Sequence, residues 1–126
     1  MMPPERRILI IEDEADMAYA ICLQLEAAGY TVELAGNGKE GLEKARRTKP
    51  DVILLDIMLP TMDGFKVCRM LKFDERYKNI PVIMLTARAQ KTDETIGFEV
   101  GANAYLTKPF EPQELLKKIE SLIAKH

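Results

Sequence analysis

Apolar residues come in five short runs, separated by longer stretches in which they recur at helical spacing. The runs are Arg7–Ile11 (RILII), Thr31–Ala35 (TVELA), Asp51–Leu55 (DVILL), Pro81–Leu85 (PVIML) and Ala104–Leu106 (AYL). The first, third and fourth are apolar at nearly every position, as strands are when helices cover both faces of a parallel sheet. The second alternates, with Thr31, Glu33 and Ala35 opposite Val32 and Leu34, and so predicts an edge strand. A first helix begins around Met17, Ala20 and Ile21, with Asp16 as its expected cap and Gly29 as its stop. A second covers Gly38–Arg47 before Pro50, and a third runs from Phe65 after an entry through Asp63-Gly64. A fourth covers Thr92–Val100, closed by Gly101. The fifth, Pro112–Ala124, has Leu115, Leu116, Ile119, Leu122 and Ile123 as its buried stripe.

Strict alternation of strand and helix requires crossovers, which are right-handed, and this predicts an α/β fold. Five such units give a (βα)5 doubly wound, parallel five-stranded sheet with the flavodoxin-like order 2-1-3-4-5. The absence of a repeat, a low-complexity tract or a linker predicts a single domain over residues 1–126.

Composition narrows the function classes. A chain of 126 residues can bury a core without disulfides or a structural metal. The net charge of −2 gives no reason to expect direct nucleic-acid binding, and the basic stretch Lys44, Arg46, Arg47, Lys49 reads as a solvated helix face. Cys22 and Cys68 sit in apolar helical patterns without metal-ligand spacing and read as buried free thiols. No run approaches the roughly 18 apolar residues of a membrane span, and no signal-peptide segment is visible, so a cytoplasmic protein without membrane contact is expected.

In open parallel sheets ligands bind beyond the carboxyl ends of the strands, near the switch in strand order. At those ends stand Glu12-Asp13-Glu14, Asp56, Thr86 and Thr107-Lys108-Pro109. In the order 2-1-3-4-5 these are neighbours, so carboxylates, a hydroxyl and an ammonium converge on one small site. Glu14 reads as a helix cap or a solvated turn residue. Asp56 follows four apolar residues and should be partly buried, which an unpaired carboxylate tolerates poorly. A hard cation between Asp13 and Asp56 would relieve their repulsion, and Mg²⁺ suits oxygen donors, bound water and phosphate. A dinucleotide fold would need a glycine-rich turn where this chain has Glu12-Asp13-Glu14, and Gly36-Asn37-Gly38 lacks the lysine of a phosphate-binding loop.

Together these motifs resemble the receiver (CheY-like) domains of two-component response regulators, from about Arg7 to Ala124. The resemblance rests on Ile11-Glu12-Asp13, Leu55-Asp56-Ile57-Met58-Leu59-Pro60 with Asp63-Gly64, Leu85-Thr86-Ala87, Gly101-Ala102 and Tyr105-Leu106-Thr107-Lys108-Pro109-Phe110. It implies that Asp56 accepts a phosphoryl group from a sensor histidine kinase or phosphotransfer protein. It further implies Mg²⁺ held by Glu12, Asp13, Asp56 and the Met58 backbone carbonyl. Lys108 and Thr86 would contact the phosphoryl oxygens, Tyr105 would be the readout aromatic, and the Lys108–Pro109 bond would be cis. The face of the fourth helix, fifth strand and fifth helix would engage a downstream effector whose identity the sequence does not name.

Two other function classes compete. A haloacid-dehalogenase-type phosphatase needs an acid two residues after its nucleophile, where this chain has Met58, and carries that nucleophile on its first core strand. A phosphorylation-independent pseudo-receiver usually lacks a pocket acid or the lysine, and all are present. The reading is therefore a signalling phosphoacceptor whose only chemistry is self-directed phosphotransfer and autodephosphorylation. Where the DNA-binding branch of the family pairs opposite charges across a dimer, this chain has Glu94 with Glu114, and Ala104 with Lys118. These departures predict a monomer or a weak phosphorylation-dependent dimer, and weaken the case for a DNA-binding partner domain.

Overall fold

The computed structural model describes residues 5–87 and 101–125. Its strands are β1 (Arg7–Ile11), β2 (Thr31–Ala35), β3 (Val52–Asp56), β4 (Val82–Thr86) and β5 (Ala104–Thr107). The helices in that part of the chain are α1 (Ala15–Ala27), α2 (Gly38–Thr48), α3 (Gly64–Lys72) and α4 (Pro112–Lys125). All strand pairs are parallel and the sheet order is β2-β1-β3-β4-β5, as the alternation of elements implies. The helix expected over Thr92–Val100 lies outside the described residues.

Each central strand feeds two cores by turns, because successive side chains point to opposite faces. Leu9, Ile11, Ile53 and Leu55 pack under α2 and α3 with Leu42, Ala45, Val67 and Leu71. Ile8, Ile10, Val52 and Leu54 pack under α1 and α4 with Ile21, Leu25, Leu115 and Ile119. This double coverage explains the unbroken apolar runs: every residue of β3 is buried, and each such Leu or Ile contributes roughly 1.5–3 kcal/mol. β2 has one neighbour, as its alternating sequence predicts for an edge strand, and is buried only at Ala35. Cys22 and Cys68 are buried free thiols on opposite faces of the sheet, so they cannot form a disulfide with each other.

Local boundaries follow side-chain chemistry. Asn37 caps α2 by accepting the Glu40 amide at 2.9 Å, and the Glu40 carboxylate accepts the Gly36 amide in return. Asp63 caps α3 by accepting the Lys66 amide at 2.9 Å. Gly29, at φ +99°, ends α1 in a conformation that favours glycine. The expectation that Asp16 caps α1 is corrected. The helix starts at Ala15 with Glu14 at the cap position and no side-chain cap bond, and Asp16 lies inside the first turn. There its charge still favours the helix dipole.

Candidate functional site

The carboxyl ends of β1, β3, β4 and β5 meet at one spot, and each delivers a polar residue there. Glu12 continues the β1 ladder by one bond, its amide donating to the Ala35 carbonyl at 3.0 Å. That holds its side chain in the sheet end, where the residue is only 3% exposed, while Asp13 turns out to solvent. Asp56 closes β3 opposite Leu85 and is 4% exposed; Thr86 closes β4 and is 5% exposed. Lys108 follows β5, donates its amide to the Thr86 carbonyl at 2.7 Å, and precedes a cis bond to Pro109 as the resemblance implied.

From this position the Lys108 ammonium reaches both buried acids, at 3.1 Å from Glu12 Oε2 and 3.3 Å from Asp56 Oδ2. The remaining oxygen of each acid accepts a backbone amide two residues further on. Glu14 donates to Glu12 Oε1 at 3.2 Å, and Met58 donates to Asp56 Oδ1 at 3.0 Å. Burial of the two carboxylates is thus matched oxygen by oxygen, with one charged and one backbone donor each. Carboxylate oxygens of Glu12, Asp13 and Asp56 lie within 4.8 Å of one another. This all-oxygen set, open on the Asp13 side, fits a hard divalent cation that retains water.

The electrostatics reflect that crowding. Burial, and then the neighbouring Asp56 carboxyl, push the Glu12 carboxyl up to about 7, with Lys108 only partly opposing the rise. Burial works against the charge on Lys108, but the bond to Glu12 and the fields of Asp56 and Glu12 prevail and raise its ammonium above the ordinary lysine value.

The expected residues Glu12, Asp13, Asp56, Thr86 and Lys108 therefore all come to the same end of the sheet. Tyr105 lies on β5 beside Met84 and is half-buried against the core under α2 and α3. At Met58 the feature shown is the amide bonded to Asp56, in a residue that is 74% exposed. The backbone donors of Glu14 and Met58 were not foreseen, because an amide carries no residue-type signal. Ala104 and Lys118, a pair drawn from the resemblance, line one shallow groove with Asn103, Lys117, Ser121 and Leu122. Glu94 lies outside the described residues.

Residues 8–120 match the response regulator receiver domain family. The chain belongs to this family. It is 47% identical over 117 residues to the DNA-binding dual master transcriptional regulator RpaA of Synechocystis sp., a match covering 93% of this chain and 48% of that protein. The chain thus spans about half the length of the curated relatives it matches. The chemotaxis protein CheY4 of Vibrio cholerae is similar with a TM-score of 0.90 and 34% identity, covering 94% of this chain and 99% of that one. The receiver domain of the sensor histidine kinase PA1611 of Pseudomonas aeruginosa, solved with a magnesium ion coordinated in the active-site cleft, gives a TM-score of 0.89 and 33% identity over 96% of this chain and 99% of that one. This is a two-component receiver domain, a signalling rather than a metabolic protein. Among the described residues no helix is long and apolar enough to cross a membrane.

Proposed function

We propose that Asp56 is the phosphoacceptor of a receiver unit comprising residues 1–126, working in the cytoplasm and loaded by a sensor histidine kinase or phosphotransfer protein. The observation that carries this reading is the environment of one carboxylate. Asp56 is buried at the end of a central strand, held by an ammonium at 3.3 Å and an amide at 3.0 Å, with two further acids beside it. In transfer, a bond forms between an Asp56 carboxylate oxygen and phosphorus. The phosphorus–nitrogen bond of the donor phosphohistidine breaks, its electron pair returning to the imidazole. Glu12, Asp13, Asp56 and the Met58 carbonyl would hold Mg²⁺, which when bound neutralises and aligns the transferring group. Lys108, already within reach of Asp56, then pairs with a phosphoryl oxygen, and Thr86 donates its hydroxyl to another.

Phosphorylation adds about −1.5 to −2 charges and three acceptor oxygens at this buried point. Thr86 and Lys108 gain contacts only in that state, and Tyr105, two register steps from Thr107, reports the change to the face of β5 and α4. A downstream effector reads that face; the receiver itself makes no direct nucleic-acid contact, in keeping with its charge of −2. Its own chemistry is limited to phosphotransfer onto Asp56 and its hydrolysis. Incubation with acetyl phosphate and Mg²⁺ should add one phosphate by mass, and Asp56→Asn should take up none. Full labelling of Asp56→Asn would refute the assignment.

A further inference from the structure

We infer that Gly64 is a positioning residue for phosphoryl transfer, seating the peptide that carries Asp56. The inference rests on Asp56 being the phosphoacceptor. Gly64 opens α3 and donates its amide to the Ile57 carbonyl at 2.9 Å, so the loop of residues 57–63 leaves β3 and folds straight back onto its origin. A Cβ at position 64 would stand 2.3 Å from the Asp56 carbonyl oxygen, 2.8 Å from Ile57 Cα and 3.0 Å from the Asp56 carbonyl carbon. All three are backbone atoms, with no side chain that could swing aside.

Any side chain there must open the tightest of these contacts by about 0.7 Å to reach the 3.0 Å limit of real Cβ atoms. β3 is hydrogen-bonded on both sides, and the Ile57 amide is itself fixed to the Leu85 carbonyl at 3.1 Å. Either the Asp56–Ile57 peptide turns, or the start of α3 lifts and draws the loop with it. Both movements displace the Met58 amide relative to Asp56 Oδ1, and with it the loop wall of the acidic pocket. The requirement for glycine here is therefore a requirement of the nucleophile's position rather than of backbone φ.

The test compares full-chain Gly64→Ala with Gly101→Ala. Gly101 has φ +97° and packs on the Lys72 stem, with Cβ contacts of 2.8 and 3.0 Å, at the amino end of β5 and thus at the opposite end of the sheet. Both variants lose stability; only Gly64→Ala should lose chemistry. Misplacement by a large fraction of an ångström predicts a fall of roughly 10- to 100-fold in phosphorylation rate at saturating acetyl phosphate. Mg²⁺ affinity by calorimetry should weaken by about threefold or more, as the ligand set it binds is disturbed. Gly101→Ala should stay within about twofold of the parent in both measurements. Parent-like rates and Mg²⁺ affinity for Gly64→Ala, or equal losses in the two variants, would overturn the inference. If Gly64→Ala does not fold, amide NMR of the parent decides: the Gly64 signal should shift with Mg²⁺ at the same midpoint as Met58, and a stationary Gly64 signal overturns the seat. Labelling of Asp56→Asn would instead overturn the underlying assignment, whatever Gly64 does.

Discussion

Replacing Lys108 by methionine removes the one cation within ion-pair distance of Glu12 and Asp56 among the described residues, while keeping the length of the stem. The Glu12, Asp56 and Lys108 side chains are 1%, 6% and 15% exposed, so water cannot fully replace the lost ammonium. Breaking a buried pair from one side costs about 3–5 kcal/mol when the remaining charge is stranded. Glu12 can avoid part of that cost by taking up a proton. Its folded pKa, raised from 4.5 to about 7, means that this group favours the folded state fully below pH 4.5 and loses that contribution as pH rises through 7. Lys108 opposes the rise, so its removal moves the window upward and deepens the loss at alkaline pH. In metal-free buffer the variant should therefore be destabilised by about 3–4 kcal/mol at pH 8. At pH 5, where Glu12 is protonated in both proteins, removing the ammonium strands no charge on Glu12, and the loss falls to about 1.5–2 kcal/mol, the worth of one hydrogen bond to a charged group. Urea unfolding with chelator at the two pH values measures the difference. Millimolar Mg²⁺ should shrink the alkaline penalty, since a bound cation takes over the neutralisation. An equal penalty at both pH values, or one below about 0.5 kcal/mol at pH 8, would show that the ammonium does not balance these acids.

Asp13→Asn should raise metal-free stability by roughly 0.5–1 kcal/mol, because an exposed acid is removed from beside two buried ones, and should weaken Mg²⁺ binding at the same time; a loss of several kcal/mol would mean that Asp13 is structurally paired. Asn37→Ala removes the acceptor of the Glu40 amide, at a cost of about 1 kcal/mol, or about 4 °C in Tm for a domain of this size. Light scattering of the beryllofluoride-treated protein at micromolar concentration and low salt should show a monomer, since Ala104 offers Lys118 no acid in the groove they share. A stable dimer broken by a substitution at Leu115 would show that packing outweighs charge.

The sheet order and the residues of the site were legible in the sequence for one reason. A parallel strand covered on both faces must be apolar throughout, so β1, β3 and β4 announce themselves and each ends abruptly in a polar residue. Glu12, Asp56, Thr86 and Lys108 are conspicuous because they interrupt or follow such runs, and the parallel topology then obliges their ends to meet. Asp16 and Glu14 lie two residues apart, and residue type alone does not say which has extended backbone at the start of α1; Glu14 does, its amide turned to Glu12. What only tertiary structure decided is how the acids are held. One ammonium is shared between Glu12 and Asp56, residues 44 positions apart in the chain, and an amide supplied by the turn after each strand completes both shells. Backbone donors are the same in every residue and their direction depends on the path of the loop. The sequence therefore names the charges of the site, and the loops returning over the sheet determine which oxygens they meet.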